Sequence, residues 1–319
     1  MVVIRRSGCP VVGRKFAPLA DRMTAYREVR MLVDAGFPPS PSKISARLED
    51  VGCPVPTRET IRRWAVGATS PFSGKRLFTP NPSEELSFFL GAWLGDGWAD
   101  QNDGGKRMRL KVRSKSFAER FAAAAGSILQ RESYGIWTTV DNRGPWYNVK
   151  VTSCMLYDFV NEDLSELKSY LESFPKGFLS GFFTAEGNPS ISVSRRGPRL
   201  DIALDLSNSD LELLQLCRDL LANLGFSPSR IRLVQQAGES TNLGTATKPG
   251  WLLMLLSFED VRRFAETIGF ADLTKQAKLT DALELVRRLG PRNAAEEWTE
   301  RYVKLNKKWV AKVGSEPVV

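Results

Sequence analysis

Two glycine-rich apolar stretches, each ending in an acid before glycine, recur at an offset of 90: Phe89 to Gly97 (FLGAWLGDG) and Leu179 to Gly187 (LSGFFTAEG). Gly91 pairs with Gly181, Trp93 with Phe183, Asp96 with Glu186 and Gly97 with Gly187. In-register repetition of this kind is the mark of a duplicated half-domain. Ser87, Gly91 and Gly95 fall at i, i+4, i+8 on one helix face, and Gly177, Gly181 and Ala185 do the same on the other. Each helix therefore carries a stripe without bulk, and two such stripes can meet backbone to backbone. Glycine inside a helix costs roughly 1 kcal/mol against alanine, so its repetition says that close approach outweighs helix propensity. A pair crossing on those stripes brings Asp96 and Glu186 out side by side at one end.

Composition narrows the chemistry such a pair can run. The 319 residues contain no histidine, and Cys9, Cys53, Cys154 and Cys217 are scattered without a CxxC pair. Structural zinc, serine or cysteine triads and histidine general bases drop out. Catalysis must then use carboxylates, lysine, metal and water. No run of 18 apolar residues occurs, and the N-terminus MVVIRRSGCP lacks a secretory core, so no membrane partner is expected and the expected location is cytoplasmic, where DNA lies.

The charge is unevenly spread. Residues 1–82 hold 14 Lys+Arg against 6 Asp+Glu, while residues 83–319 hold 31 against 30. The basic segment suggests a polyanion-binding module. It reads as three short helices, Thr24 to Ala35, Ser42 to Glu49 and Arg58 to Trp64, the last N-capped by Thr57 and ended by Gly67. This resembles a helix-turn-helix, with Arg58, Glu59, Arg62 and Arg63 as candidates to face a DNA groove; a small helical cap with solvated arginines is the plain alternative.

Beyond the linker Thr79 to Ser83, each half reads helix, hairpin, helix, hairpin, helix. Asn102 to Gly105 supplies a hairpin turn, after which Met108, Leu110 and Val112 alternate with Arg107, Arg109, Lys111 and Arg113. A strand with one buried and one basic face can follow phosphates and base edges. Ser116 to Glu119 and Ser209 to Glu212 read as capping boxes at an offset of 93, and Tyr147 to Ser153 aligns with Trp251 to Ser257. Asn293 to Val313 reads as one added C-terminal helix. The expected domains are 1–82, 83–175, 176–290 and a helical extension over 291–319.

From about Ser83 to Leu289 the chain resembles the LAGLIDADG homing endonucleases in their single-chain, two-repeat form, with Asp96 and Glu186 matching the two motif acids. The resemblance implies an α+β fold in which two pseudo-symmetric αββαββα half-domains form a saddle of antiparallel strands, beside the small all-α N-terminal domain. It implies a monomeric, intron-encoded enzyme that cuts both strands of double-stranded DNA at a long specific site and leaves short 3′ overhangs. Two or three Mg²⁺ (or Mn²⁺) ions would be shared by Asp96 and Glu186 beside Gly95 and Ala185. Such ions acidify bound water and polarise phosphate oxygens, and Mg²⁺ takes oxygen ligands while keeping several waters.

The resemblance further implies a polar or basic residue beside each acid. Lys115 is the candidate in the first half, and Asn208, by the offset of 93, in the second, so unequal strand cutting is expected. DNA contacts are expected from Arg107, Arg109, Lys111, Arg113, Asn148, Lys150, Arg199 and Arg232, with Arg58, Arg62 and Arg63 extending the footprint. In the second half Leu252, Met254 and Leu256 would stand where Asn148, Lys150 and Thr152 stand in the first, and Asp201 and Asp205 share that face. Either this half reads thymine methyls and cytosine amino groups, or protein covers part of it. The competing class is a non-cleaving binder of the same fold, an RNA maturase acting on intron RNA or a transcription regulator; the retention of both acids argues against it.

Overall fold

The alternation of helix and hairpin signals is realised twice. In the computed structural model, residues 19–312 are described apart from 39, 54, 72–77, 101–105, 133, 143, 195–196, 242–243 and 306–307. The expected turn at 102–105 lies outside the described residues. The described residues fall into two compact units: those from 19 to 79 with 100, 106–107 and 152–159, and the remainder.

The first unit holds α1 (Leu19–Asp34), α2 (Pro41–Asp50) and α3 (Arg58–Ala65). Ala25, Val29, Ile44, Leu48, Ile61 and Trp64 form their shared core. The Thr57 hydroxyl accepts from the Thr60 amide, which satisfies one of the free N–H groups at the start of α3. Trp64 and Ile61 point inward while Arg58, Arg62 and Arg63 stay exposed.

The two repeats follow. The first half runs α4 (Glu84–Asp96), β1 (Gly97–Asp100), β2 (Arg107–Val112), α5 (Lys115–Ile128), β3 (Ile136–Asp141), β4 (Gly144–Thr152), α6 (Cys154–Val160) and α7 (Leu164–Ser173). The second runs α8 (Pro175–Glu186), β5 (Gly187–Val193), β6 (Leu200–Asn208), α9 (Leu211–Asn223) and β7 (Arg232–Gln235). It continues through a small hairpin, β8 (Ser240–Thr241) and β9 (Gly244–Thr245), to β10 (Gly250–Leu255), α10 (Phe258–Thr267) and α11 (Leu273–Arg301). The two main sheets have the same order, β1-β2-β4-β3 and β5-β6-β10-β7. The pairings β3 with β4, β5 with β6, and β10 with both β6 and β7 are antiparallel, which gives the α+β architecture.

Side-chain alternation sets each sheet's inner face. Met108, Leu110 and Val112 are buried on β2, with Val149 and Val151 on β4, and Leu204, Leu206, Leu253 and Leu255 fill the matching positions of the second sheet. Phe89 stacks on Phe121 at 4.6 Å, and Phe183 meets Phe264 at 4.7 Å, so each motif helix is anchored in its own half by an aromatic pair.

Two expectations are corrected. The chain from Asn293 to Val313 is not one helix: α11 runs through a bend at Gly290 (φ 75°), ahead of Pro291, to Arg301, and then a hairpin forms from β11 (Tyr302–Leu305) and β12 (Lys308–Ala311). Tyr302 stacks on Trp298 at 3.9 Å and its hydroxyl donates to buried Asp281 at 2.8 Å, which ties the hairpin to α11. The capping boxes also shift. Ser114, not Ser116, caps α5 by accepting from the Phe117 amide, and Asp210, not Ser209, caps α9 by accepting from the Glu212 and Leu213 amides. Among the described residues no helix is long and apolar enough to cross a membrane.

Candidate active site

The motif helices meet as their glycines require. A Cβ on Gly91 would fall on the Phe178 carbonyl oxygen, and one on Gly181 would fall on the Phe88 carbonyl oxygen. The two contacts exchange under the offset of 90, so the pair carries a local twofold in its backbone. Further along, a Cβ on Gly95 would collide with the Ala185 methyl and lie 3.3 Å from Glu186 Cγ. The crossing therefore carries Asp96 and Glu186 to one place.

Burial between the two helix ends governs the electrostatics there. Asp96 keeps an exposed face and Glu186 is half-buried, yet the protein around their carboxyls removes much of the surrounding water. That desolvation pushes Asp96 up to about 6, against a partial pull downward from Lys275. Glu186 is pushed up to about 7, by desolvation first and then by the negative charge of Asp96, again opposed by Lys275. The two acids thus form an interacting pair that titrates near neutrality.

Lys275 is the residue that the sequence had not singled out. It lies in the first turn of α11, and its ammonium donates to the carbonyl oxygens of Thr184 (2.8 Å) and Gly187 (2.7 Å) at the end of α8. A cation at a helix C-terminus meets both the unpaired carbonyls and the negative end of the dipole. The loop before α11 is fastened to the same turn, since the Ala271 amide donates to the Thr184 hydroxyl at 2.8 Å. The chain held a signal for this lysine. Asp272-Leu-Thr-Lys275 repeats Asp163-Leu-Ser-Glu166, and both aspartates stand at helix N-caps. The first half therefore has an exposed glutamate, Glu166, where the second has Lys275.

Lys115 behaves differently from what was expected. It is exposed and pairs with Glu119 on its own helix at 3.1 Å, and it is not among the charges acting on either motif acid. Nor is Asn208 its counterpart. Ser114 caps two residues after buried Val112, whereas Asp210 caps four residues after buried Leu206, so Asn208 stands at the end of β6 and Lys115 at the start of α5. The Asn208 side chain accepts from the Asp210 amide at 2.8 Å and shapes the turn.

The outward sheet faces are unlike. On the first, Arg107, Arg109 and Arg113 are half-buried, and Lys111 and Lys150 are exposed. Asn148, expected to contact DNA, is 7 % exposed, and its amide nitrogen donates to the Trp137 and Trp146 carbonyls and the Thr139 hydroxyl. On the second, Arg199 pairs with Asp201 at 2.6 Å, and Arg232 reaches the Met254 sulfur at 3.3 Å. Asp205 there is raised by desolvation, against a hydrogen bond from Ser190 and the charge of Arg232. Leu256 is exposed, and Leu252 and Met254 are half-buried.

The donor set at the helix ends fits a hard divalent cation. Two carboxylates whose shared negative charge raises Glu186 gain from a dication, and carbonyl-bearing Gly95 and Ala185 adjoin them. Among the described residues no group of three or more His, Cys, Asp or Glu could enclose an ion with protein ligands alone, so water or phosphate oxygens would complete the shell.

Residues 173–269 match the family model of the LAGLIDADG-like domain. An uncharacterised protein of Methanocaldococcus jannaschii is 28% identical over 254 residues, covering 76% of this chain and 88% of that protein. A second uncharacterised protein of the same organism is 27% identical over 153 residues, 47% of this chain and 57% of its own length. Among solved structures, the homing endonuclease I-DmoI in complex with DNA and Mn has 20% identity over 59% of this chain and 98% of its own, with a TM-score of 0.40. The LAGLIDADG homing endonuclease I-GzeII in complex with a DNA target has 12% identity over 70% and 97%, with a TM-score of 0.45.

Proposed function

We propose that this chain, which carries a LAGLIDADG-like domain in a two-repeat form, is an intron-encoded, site-specific endonuclease that hydrolyses both strands of double-stranded DNA with a divalent metal and leaves short 3′ overhangs. The observation that carries the reading is the pair of carboxyls, Asp96 and Glu186, brought together at two glycine-packed helix ends and held at about 6 and about 7. Acids kept near neutrality by burial, and in Glu186 also by the charge of Asp96, are costly to a fold and are characteristic of working sites.

Each residue then has a task. Asp96 and Glu186, with the Gly95 and Ala185 carbonyls, would hold Mg²⁺ or Mn²⁺. The bound metal supplies Lewis-acid neutralisation of phosphate oxygens and acidifies water. Lys275 fixes the end of α8 and supplies positive charge where negative charge develops on the phosphate. Arg107, Arg109, Lys111 and Lys150 follow the backbone of the first half-site, with Arg199 and Arg232 on the second. Arg58, Arg62 and Arg63 on α3 extend the footprint as a helix-turn-helix.

The test is cleavage-coupled selection from a randomised duplex library with Mg²⁺, by the wild-type chain and by Asp96→Asn with Glu186→Gln. The wild type is expected to enrich one long site and cut both strands there, and the double variant to bind that site without cutting it. Cleavage that survives in the folded double variant removes the mechanism. Tight binding without nicking by the wild type, or preference for intron RNA over duplex, replaces the reading with a maturase or a transcription regulator.

A further inference from the structure

One arginine just past the end of β2 is held in place before any ligand arrives. Arg113 Nη2 donates to Asp141 Oδ1 at 3.1 Å and approaches Oδ2 at 3.5 Å, while Nη1 reaches the Pro145 carbonyl at 3.4 Å. Its guanidinium carbon lies 3.9 Å from the centre of the Trp146 ring. Trp146 Nε1 in turn donates to Asp141 Oδ2 at 2.7 Å, so one carboxylate orients both the ring and the guanidinium. The register of β3 on β4 sets Thr139 opposite Trp146 and Asp141 opposite Gly144, on the side of the sheet away from Val149 and Val151. No described residue accepts from Arg113 Nε, so the guanidinium keeps N–H donors for a ligand beyond those held by Asp141 and Pro145.

We infer that Arg113 is a specificity-determining residue that reads a guanine in the half-site against the first sheet, with Asp141 and Trp146 as its positioning residues; this rests on the DNA-cutting reading above. A phosphate contact needs no such lock, and the Asp141 charge beside the guanidinium repels an anionic oxygen. A guanine edge is neutral and offers two acceptors, O6 and N7, at the spacing of a guanidinium fork. Holding the fork beforehand removes the ordering cost from binding and sharpens the choice of base. The second half lacks the device: under the alignment of Tyr147 with Trp251, Trp146 corresponds to Gly250. The two half-sites are therefore read differently.

The same library selection tests this with Arg113→Lys and Asp141→Asn, each checked for an unchanged melting profile. The wild-type site should contain one position where guanine is strongly preferred. Arg113→Lys keeps the charge and the salt dependence of binding but should lower that preference about tenfold, leaving other positions intact. Asp141→Asn removes a negative charge, so affinity for unrelated DNA should hold or rise while the same preference falls. A merely structural Asp141 would weaken all positions together. If the wild type enriches no sequence, the DNA-cutting reading falls and takes this inference with it. If it enriches a site and the variant profiles coincide with the wild type, only this inference falls.

Discussion

The two halves of the repeat share helix order, sheet order and the crossing of the motif helices, and they part where chemistry is needed. At one matched helix start the first half has exposed Glu166 and the second has Lys275, whose ammonium lies at the end of α8 and acts on both acids. The first sheet's outward face carries Arg107, Arg109, Lys111, Arg113 and Lys150, whereas the second sets Asp201 and Asp205 among Arg199, Arg232 and apolar side chains. The halves agree at the scaffold positions that backbone contact enforces. They differ at outward positions that only a ligand would constrain.

The largest break in that comparison should come from Lys275→Met. Loss of the cation is expected to slow cleavage about 10²-fold and to displace the pH–rate profile upward, because both acids lose the charge that lowers them. Lys275→Arg should recover part of both. Glu166→Gln in the first half should change neither, and an equal loss there would mean that the halves are chemically equivalent.

Packing is where the halves should agree. Gly91→Ala and Gly181→Ala each place a methyl on a backbone carbonyl of the other helix, so each should destabilise the fold by about 1–3 kcal/mol or more, measured by denaturant unfolding. Equal losses fit the local twofold, and a loss at only one glycine would break it.

A smaller effect follows from the raised acids. Folding lifts both pKa values above the ordinary carboxylate range, so the native chain binds protons more tightly than the unfolded one between about pH 4 and pH 7. Stability linked to these groups is then highest below that window and falls as pH rises through 6 and 7. Asp96→Asn with Glu186→Gln should melt close to the wild type at pH 4 and about 2–4 °C above it at pH 8, after allowance for the solvent-open side of Asp96. Smallest is Arg63→Ala on α3, expected to reduce the slope of log affinity against log salt by about 1 and to leave the selected central bases alone.

Much of this fold was legible from periodicity. The glycine stripes fixed a helix contact because only backbone approach explains them, and the alternation from Arg107 to Arg113 marked one inner face. Three short helices stood out through Thr57 and Gly67. The site was less legible. Lys275 was hidden because its repeat partner has the opposite charge, although the aspartate caps Asp163 and Asp272 align. Ser116 looked like the start of a capping box, but Glu119 pairs with Lys115 and the cap falls on Ser114. Asn148 occupies an outward strand position and still turns its amide onto Trp137, Thr139 and Trp146, a choice made by cross-strand geometry. The C-terminal hairpin depends on Trp298, Tyr302 and Asp281 meeting across the bend at Gly290, which no local pattern announces.

The central claim, a shared carboxylate pair biased by one lysine from the second half, can be measured without knowing the DNA target. Carbon-13 NMR titration of the side-chain carboxyls of Asp96 and Glu186, in the wild type and in Lys275→Met, follows both groups directly. The account predicts midpoints of about 6 and about 7 in the wild type, and both higher in the variant. Two midpoints near 4, unmoved by the loss of Lys275, would contradict it.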